Sequence, residues 1–196
     1  MTRETEIKIS LEDAGVALHT IRERIESKGF QIHKPRVFER NLVFDRPDGS
    51  LKSARQLLRL RDAGGEGKLT FKGVPEPGRH KSREERETGV ENFAEMQVIL
   101  ERLGYAVAFV YEKYRTEYAH PGTEGTITVD ETPIGYFLEL EGVGDWIDQT
   151  AVLLGFGESD YKTESYGTLY REWCHKYDFT PTNMVFSESA TAPASA

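Results

Sequence analysis

The sequence predicts an α+β domain built on a largely antiparallel β-sheet. Eight segments carry strand patterns, and the helices between them do not follow the regular alternation of βαβ units. Eight strands are also enough to close a sheet into a barrel whose interior holds side chains or one small ligand. In such a barrel the apolar strand faces would pack outward against amphipathic helices, and the opposite faces would line the interior.

Turn signals separate several of the predicted strands. Pro47-Asp48-Gly49 and Gly64-Gly65-Glu66-Gly67 are the clearest, because glycine and proline supply the backbone angles that tight turns need. The predicted strands are Glu4–Ile9, Val37–Asp45, Gln56–Asp62, Lys68–Gly73, Lys81–Thr88, Val110–Ala119, Gly125–Asp130 and Tyr136–Glu141.

Four amphipathic helices are predicted from apolar residues spaced three and four apart. The first begins at Ser10, a predicted N-cap, and ends near Gly29. The other three run from Phe93 to Gly104, from Asp145 to Gly155 and from Thr163 through Tyr177. These helices are the candidates to cover the apolar side of the sheet.

Composition indicates one globular domain. The 196 residues carry 25 Lys and Arg against 33 Asp and Glu, a net charge of −8, and a single cysteine, Cys174. No disulfide framework is available, and no long apolar or leader-like segment is visible, so we expect a cytoplasmic protein without membrane contact. The acidic balance argues against binding a nucleic acid polymer. We expect a domain over residues 1–179, as monomer or homodimer, and a disordered tail over 180–196, with no apolar periodicity from Ser187 onward.

Strand alternation places charged residues in rows. In the first strand Glu4, Glu6 and Lys8 share one face, and Ile7 and Ile9 share the other. The other rows are Arg59 and Arg61; Lys68, Thr70 and Lys72; Arg83, Glu85 and Glu87; Lys113, Arg115 and Glu117; Thr126, Thr128 and Asp130; and Glu139 and Glu141. These rows fit either a solvated sheet face or a barrel interior. An interior would need counter-charges, water and a polyanion with metal, because unpaired buried ions cost several kcal/mol each.

The two signs of charge have complementary uses. Converging Arg and Lys side chains suit a phosphate chain, which guanidinium groups can bind through two hydrogen bonds at once. Paired carboxylates suit a hard divalent cation such as Mg²⁺ or Mn²⁺, which takes oxygen ligands from protein, phosphate and water.

A series of short motifs resembles the CYTH family, also called triphosphate tunnel metalloenzymes. Its members include class IV adenylyl cyclases, thiamine triphosphatases and inorganic tripolyphosphatases. The first motif is Glu4-Thr5-Glu6-Ile7-Lys8, similar to the family signature ExExK. The others, in family order, are Leu58-Arg59-Leu60-Arg61, Thr70-Phe71-Lys72-Gly73, Arg83-Glu84-Glu85-Arg86-Glu87, Lys113-Tyr114-Arg115, Asp130 with Gly135 to Glu141, and Ser165-Tyr166.

The resemblance implies a closed eight-stranded antiparallel tunnel with flanking helices that binds a triphosphate with Mg²⁺ or Mn²⁺. It implies metal ligation by Glu4, Glu6, Glu139 and Glu141, with Asp130, Glu85 and Glu87 either supporting the metal or forming salt bridges in the lumen. It implies phosphate binding by Lys8, Arg59, Arg61, Lys72, Arg83, Lys113 and Arg115. Lys8 and Lys72 are the predicted catalytic residues, and Lys72 resembles a lysine thought to help activate the attacking water.

Two positions depart from the family pattern. The second strand usually carries an aromatic hydroxyl within Asp-x-Tyr-Tyr/Phe-Asp, but this chain has Asn41-Leu42-Val43-Phe44-Asp45. Near the end of the domain, the basic residue expected before Ser-Tyr is Glu164, and Lys162 lies two residues earlier.

The functional hypothesis is metal-dependent hydrolysis of a small-molecule triphosphate, either inorganic tripolyphosphate or an organic triphosphate such as thiamine triphosphate. The first alternative is a class IV adenylyl cyclase, which would convert ATP to cyclic AMP and pyrophosphate. The second is a binder of polyphosphate or nucleotides without catalysis, although carboxylates beside an anion are useful only if metal is present.

Overall fold

The chain forms a closed antiparallel β-barrel, described over residues 3–187 in a computed structural model. Its strands are β1 (Arg3–Ser10), β2 (Gln31–Asp45), β3 (Leu57–Ala63), β4 (Glu66–Lys72), β5 (Lys81–Val90), β6 (Ala106–Ala119), β7 (Thr126–Thr132) and β8 (Gly135–Glu141). Their order around the barrel is β1-β5-β4-β3-β2-β6-β7-β8, and β8 pairs back with β1. The predicted fold class is therefore confirmed.

In the described part of the chain, five α-helices surround the barrel. They are α1 (Leu18–Ser27), α2 (Ser50–Ser53), α3 (Phe93–Arg102), α4 (Gly144–Leu153) and α5 (Tyr166–Lys176), and a short 3₁₀ helix spans Glu158–Asp160. The sequence did not predict α2 or the 3₁₀ helix, because three or four residues cannot show a helical period. Within residues 3–187, no helix is long and apolar enough to cross a membrane.

Two helix starts differ from the prediction. β1 continues to Ser10, whose hydroxyl accepts a hydrogen bond from the Asp13 amide at 3.3 Å and so closes a turn, while α1 begins only at Leu18. The N-cap of α5 is Ser165, which accepts from the Thr168 amide, and not Thr163. The helix ends at Gly29, Gly104 and Gly155 are confirmed, and all three glycines adopt positive φ there.

β2 and β6 are longer than predicted. β2 starts at Gln31, and its first six residues are exposed on both faces, so no alternation marked them as a strand. They pair with the end of β6 through register shifts on either side of Lys34. Pro35 lies inside the second shift, where the missing N–H of proline breaks no ladder bond.

The apolar core lies outside the barrel, between strands and helices. Ile7 and Ile9 of β1 pack with Leu138 and Leu140 of β8 beneath helices α1 and α4. Two smaller clusters form under α3 and α5. Each fully buried aliphatic side chain contributes about 1.5–3 kcal/mol. Because this outer layer supplies the stability, the interior is free to be polar.

The end of the described chain packs on the barrel. Met184 is fully buried, and its backbone exchanges two hydrogen bonds with Val110 and Glu112 of β6, at 3.0 and 2.9 Å. Along β6, β7 pairs with Tyr114–Ala119 and leaves the earlier part of that edge open. The segment around Met184 covers this open part. Residues 180–187, the first part of the tail that the sequence predicts as disordered, thus contact the barrel around Met184, and 188–196 lies outside the described residues.

Candidate active site

A charged cavity of about 1120 Å³ fills the barrel, and all eight strands contribute to its lining. Thirteen of the fourteen residues selected from the sequence line it: Glu4, Glu6, Lys8, Arg59, Arg61, Lys72, Arg83, Glu85, Glu87, Lys113, Arg115, Glu139 and Glu141. Asp130 is the exception among them. The rows of charged side chains therefore face the lumen, and the solvated-face interpretation is wrong for this sheet.

One side of the lumen, formed by β1, β5 and β8, is the acidic wall, and its carboxylates are Glu4, Glu6, Glu85, Glu87, Glu139 and Glu141. Glu4 lies 2.5 Å from the ammonium of Lys72, which also contacts Glu85 at 3.1 Å. Burial and the charge of Glu6 nevertheless raise the pKa of Glu4 to about 7. Burial also raises the pKa of Glu141, and Glu6 and Glu85 add to the effect. Negative charge is therefore in excess on part of this wall.

Lys8 lies between two carboxylates of the acidic wall. Its ammonium is 3.2 Å from Glu6 and 3.2 Å from Glu139, and Lys81 contacts Glu6 at 3.1 Å. Although burial opposes ionisation, the charge of Lys8 keeps the pKa of Glu6 and of Glu139 low. These two carboxylates remain anionic at neutral pH.

The opposite side of the lumen, formed by β2, β3 and β6, is the basic wall, and its cations are Arg59, Arg61, Lys113 and Arg115. One buried carboxylate on this wall, Glu39, was not identified from the sequence. Glu39 lies 3.4 Å from Arg61 and 3.6 Å from Lys113, and Lys113, Arg115 and Arg61 outweigh burial to lower its pKa to about 2. Glu39 and Asn41 are two residues apart in β2 and therefore share a face, and this row of polar residues was the available signal.

Asp130 lies on β7, directly opposite Arg115 of the basic wall, and is completely buried. Its carboxylate accepts hydrogen bonds from Lys113 at 2.8 Å, from Arg115 at 2.6 and 2.7 Å, and from the hydroxyl of Tyr166 at 2.7 Å. With these donors around it and no cavity exposure, Asp130 orients two cations, and this geometry favours the salt-bridge interpretation over metal ligation. Glu85 and Glu87 do line the cavity, and both also form ion pairs.

Sequence reasoning also missed two residues of the site. Lys81 lies beside Glu6, and burial together with Lys8 lowers the pKa of Lys81 to about 8. Tyr111 projects from β6 toward Arg59, with its hydroxyl 3.4 Å from the guanidinium. Lys81 is two residues before Arg83 in β5, and Tyr111 is two residues before Lys113 in β6, so strand alternation was the available signal for both.

The cationic rim of the cavity comprises Lys52, Arg55 and Arg171, which are exposed. The carboxylate of Asp45 fixes this region by accepting hydrogen bonds from the backbone amides of Leu51 and Lys52, at 2.9 and 3.0 Å. Arg55 has φ of 56°, a left-handed conformation that costs a non-glycine residue about 1 kcal/mol or more. Lys162, by contrast, pairs with Asp13 at 2.9 Å and does not line the cavity.

The carboxylates fit a divalent cation in kind but are engaged by lysines in the present arrangement. Over residues 3–187, no three His, Cys, Asp or Glu side chains are arranged to hold a metal ion. Carboxylate oxygens are nonetheless the ligands that Mg²⁺ and Mn²⁺ prefer, and the raised pKa values of Glu4 and Glu141 mark negative charge that a cation would neutralise.

Comparison with known proteins identifies relatives of both sequence and fold. The sequence profile of the CYTH domain matches residues 2–152. A protein of Methanocaldococcus jannaschii, named "Putative adenylate cyclase MJ0240", is 30% identical over 138 residues, which cover 70% of this chain and 75% of the relative.

Solved structures share the barrel. The PH1819 protein from Pyrococcus horikoshii has a TM-score of 0.69 at 25% identity, covering 86% of this chain and 98% of its own. A protein from Vibrio parahaemolyticus described as a "putative adenylate cyclase" has a TM-score of 0.73 at 20% identity, covering 88% and 97%. A Hippeastrum protein, described as a "putative adenylyl cyclase" with a dominant triphosphatase activity, has a TM-score of 0.60 at 20% identity, covering 88% and 96%.

Proposed function

This chain belongs to the CYTH domain family, and we propose that it is a metal-dependent hydrolase of small-molecule triphosphates, such as inorganic tripolyphosphate or thiamine triphosphate. The observation that carries this proposal is the pairing of a basic and an acidic wall around one enclosed cavity. A phosphate chain with a divalent cation carries both signs of charge that these walls complement.

The cations of the lumen would bind the phosphate chain. Lys8, Arg59, Arg61, Lys72, Arg83, Lys113 and Arg115 are the proposed phosphate ligands. Asp130 holds Lys113 and Arg115 in place, so part of the basic wall is oriented before substrate arrives. Such preorganised positive charge stabilises the charge that develops on a phosphoryl group in transfer, and it needs no reorganisation during the reaction.

The acidic wall would hold Mg²⁺ or Mn²⁺. Glu4, Glu6, Glu139 and Glu141 are the proposed ligands, and Glu85 and Glu87 support them. When bound, the metal supplies charge neutralisation and polarisation of phosphate oxygens. Glu4 is now paired with Lys72. We propose that Lys72, placed beside the acidic wall, positions the attacking water, while Lys8 between Glu6 and Glu139 binds the transferring phosphoryl group.

Adenylyl cyclase activity is the second candidate, because relatives of this chain carry that name. The Hippeastrum protein, described as having a dominant triphosphatase activity, supports hydrolysis instead. The cavity extends beyond the cations to Phe109 and Tyr170, where an organic group would have room. We propose the cytoplasm as the compartment, where the single buried Cys174 stays reduced.

The test is to measure release of phosphate and of cyclic AMP from tripolyphosphate, thiamine triphosphate and ATP, each with Mg²⁺, Mn²⁺ or a chelator. Phosphate release that the chelator abolishes would support the proposal. Cyclic AMP with pyrophosphate would assign the cyclase instead, and binding of triphosphate without turnover would leave a binding protein.

A matched pair of lysine variants would test whether the reaction takes place in the lumen. Lys8→Ala removes the cation between Glu6 and Glu139, so we expect loss of most phosphate release. Lys162→Ala removes a cation of the outer surface, paired with Asp13, and we expect it to retain activity. Equal turnover in the two folded variants would contradict the proposed site.

A further inference from the structure

We propose that Tyr111 is a substrate-binding residue, whose phenol donates a hydrogen bond to a phosphate oxygen of the bound triphosphate beside Arg59. The inference rests on the proposed function, since it names a further contact to the same substrate. It concerns the part of the lumen where two neutral polar residues, Tyr111 and Asn41, lie opposite each other on β6 and β2.

The position of Tyr111 is the first observation. Its side chain lines the cavity and is only 6% exposed. Its hydroxyl oxygen accepts from Arg59 Nη1 at 3.4 Å, a long contact, and among the described residues no acceptor takes the phenol proton. A buried hydroxyl with an unused proton beside a guanidinium is a ready donor to an anion.

The ring is held by its neighbours. It stacks on Phe109 with centroids 5.9 Å apart and contacts the ring of Tyr166 at 5.8 Å. The backbone of Tyr111 also bridges to Met184, through the segment that covers the edge of β6. The hydroxyl is therefore fixed in the lumen before a ligand binds, which lowers the entropy lost on binding.

Asn41 is the second, independent observation. On β2 it lies directly opposite two residues of the neighbouring strands, Tyr111 of β6 and Arg61 of β3. The side chains of both line the cavity. Directly opposed residues of antiparallel strands share a face, so Asn41 also points inward. Asn41 is fully buried, yet neither polar atom of its amide has a hydrogen-bond partner anywhere in residues 3–187. Such an orphaned amide is one that a polar ligand or a water molecule at this level of the barrel would satisfy.

The charges around Tyr111 favour donation. The groups that face it are Arg59 from β3, Lys113 from β6, Glu39 from β2 and Tyr166 from α5. Burial and Glu39 would raise the pKa of Tyr111, but the positive charges of Arg59 and Lys113 outweigh them and lower it. A more acidic phenol is a stronger donor to phosphate. An anion bound at the hydroxyl would disfavour the phenolate and raise the pKa again.

The kinetic test compares Tyr111→Phe with Tyr118→Phe. The first removes only the lumenal hydroxyl, and the second makes the same change on the outward face of the same strand, where Tyr118 packs in the apolar core. A hydrogen bond to a charged group is worth about 10- to 100-fold in binding. We expect Tyr111→Phe to lower kcat/KM for phosphate release by that factor, mainly through KM, and Tyr118→Phe to match the wild type. Equal kcat/KM for Tyr111→Phe and wild type would overturn the inference.

A spectroscopic titration tests the inference independently of turnover. Phenolate absorbance is followed against pH for wild type and Tyr111→Phe, with and without tripolyphosphate and without metal. The difference between the proteins isolates Tyr111, and we expect it to titrate below the usual value of about 10 and to shift upward when tripolyphosphate is added. Absence of that shift would overturn the inference. If wild type releases no phosphate yet the shift occurs, the hydrolase proposal fails while the contact stands.

Discussion

Two carboxyl groups of the lumen, Glu4 on the acidic wall and Glu39 on the basic wall, have pKa values shifted in opposite directions. On the acidic wall, burial and neighbouring carboxylates raise the pKa of Glu4 to about 7. On the basic wall, Glu39 is buried as deeply, but Lys113, Arg115 and Arg61 lower its pKa to about 2. Burial therefore does not decide the charge state of these residues. The sign of the nearest neighbours decides it.

The contrast separates two roles. A carboxylate surrounded by cations, such as Glu39 or Asp130, contributes stability and orients those cations. A carboxylate among other carboxylates, such as Glu141, has a raised pKa and is expected to serve ligand binding instead. Substitutions at Glu39 or Asp130 should therefore change stability, and substitution of Glu141 should change activity.

The largest expected effect is at Asp130. Asp130→Asn leaves Lys113 and Arg115 without their common partner inside the protein, and breaking such buried pairs costs about 3–5 kcal/mol. Chemical denaturation should show this loss in the free energy of unfolding. Glu84→Gln, which removes a surface pair with Arg86, should cost no more than about 1 kcal/mol. A wild-type midpoint for Asp130→Asn would remove the distinction between the walls.

The next effect is the acid sensitivity that Glu39 confers. Its folded pKa of about 2 lies below the unfolded value of about 4.5, so its contribution is complete above pH 5 and is lost as pH falls toward 2. The contribution at pH 7 is at most about 3 kcal/mol. Glu39→Gln should therefore lower stability at pH 7 and flatten its decline between pH 5 and 2, measured by denaturation at each pH. A variant with an unchanged acid slope would contradict this account.

On the acidic wall, Glu141→Gln should separate activity from stability. Glu141 has no ion-pair partner within residues 3–187, and its pKa is raised by burial, so the neutral amide should not lower the melting temperature. Loss of a metal ligand should nevertheless reduce phosphate release by about 100-fold, comparable to removal of a preorganised electrostatic contact. Glu84→Gln serves as the control, because its side chain lies on the outer side of β5. If Glu141→Gln lost both stability and activity, Glu141 would have a stabilising role like that of Glu39.

The smallest expected effect is at the cationic rim. Arg55→Gly relieves a left-handed conformation and should raise the free energy of unfolding by about 0.5–1 kcal/mol. The same change removes a cation that attracts the substrate, so kcat/KM should fall a few-fold at low salt and less at high salt. Measurement over a range of ionic strength checks this. A salt-independent loss would indicate a direct contact and not attraction at a distance.

Much of this molecule could be predicted from strand alternation. Alternation assigned Arg59 and Arg61 to one face and Leu60 to the other, and the structure places these faces toward the cavity and the core. Glycine marked the helix ends because its left-handed conformation is a local property. These features depend on residues close in sequence.

The residues that were missed depend on distant neighbours. Glu39 forms its ion pairs with Arg61 and Lys113, which are on two other strands. Nothing near Glu39 in sequence shows that pairing. Met184 is ordered because β7 leaves part of β6 unpaired, a fact of strand lengths that composition cannot show. Asp130 was correctly assigned to the charged rows, but only the structure shows it enclosed by three donors.

The pairing of β1 with β8 has a consequence for folding during synthesis. β1 leaves the ribosome before the other seven strands of the barrel, yet its ladder partners are Lys81–Glu84 and Phe137–Glu141. Closure must therefore wait until most of the domain has been translated, and such long-range contacts make folding slow. Until then, Ile7 and Ile9 lack the strand that completes their side of the core. The same seam joins Lys8 to Glu139, so the proposed reaction centre is complete only in a closed barrel.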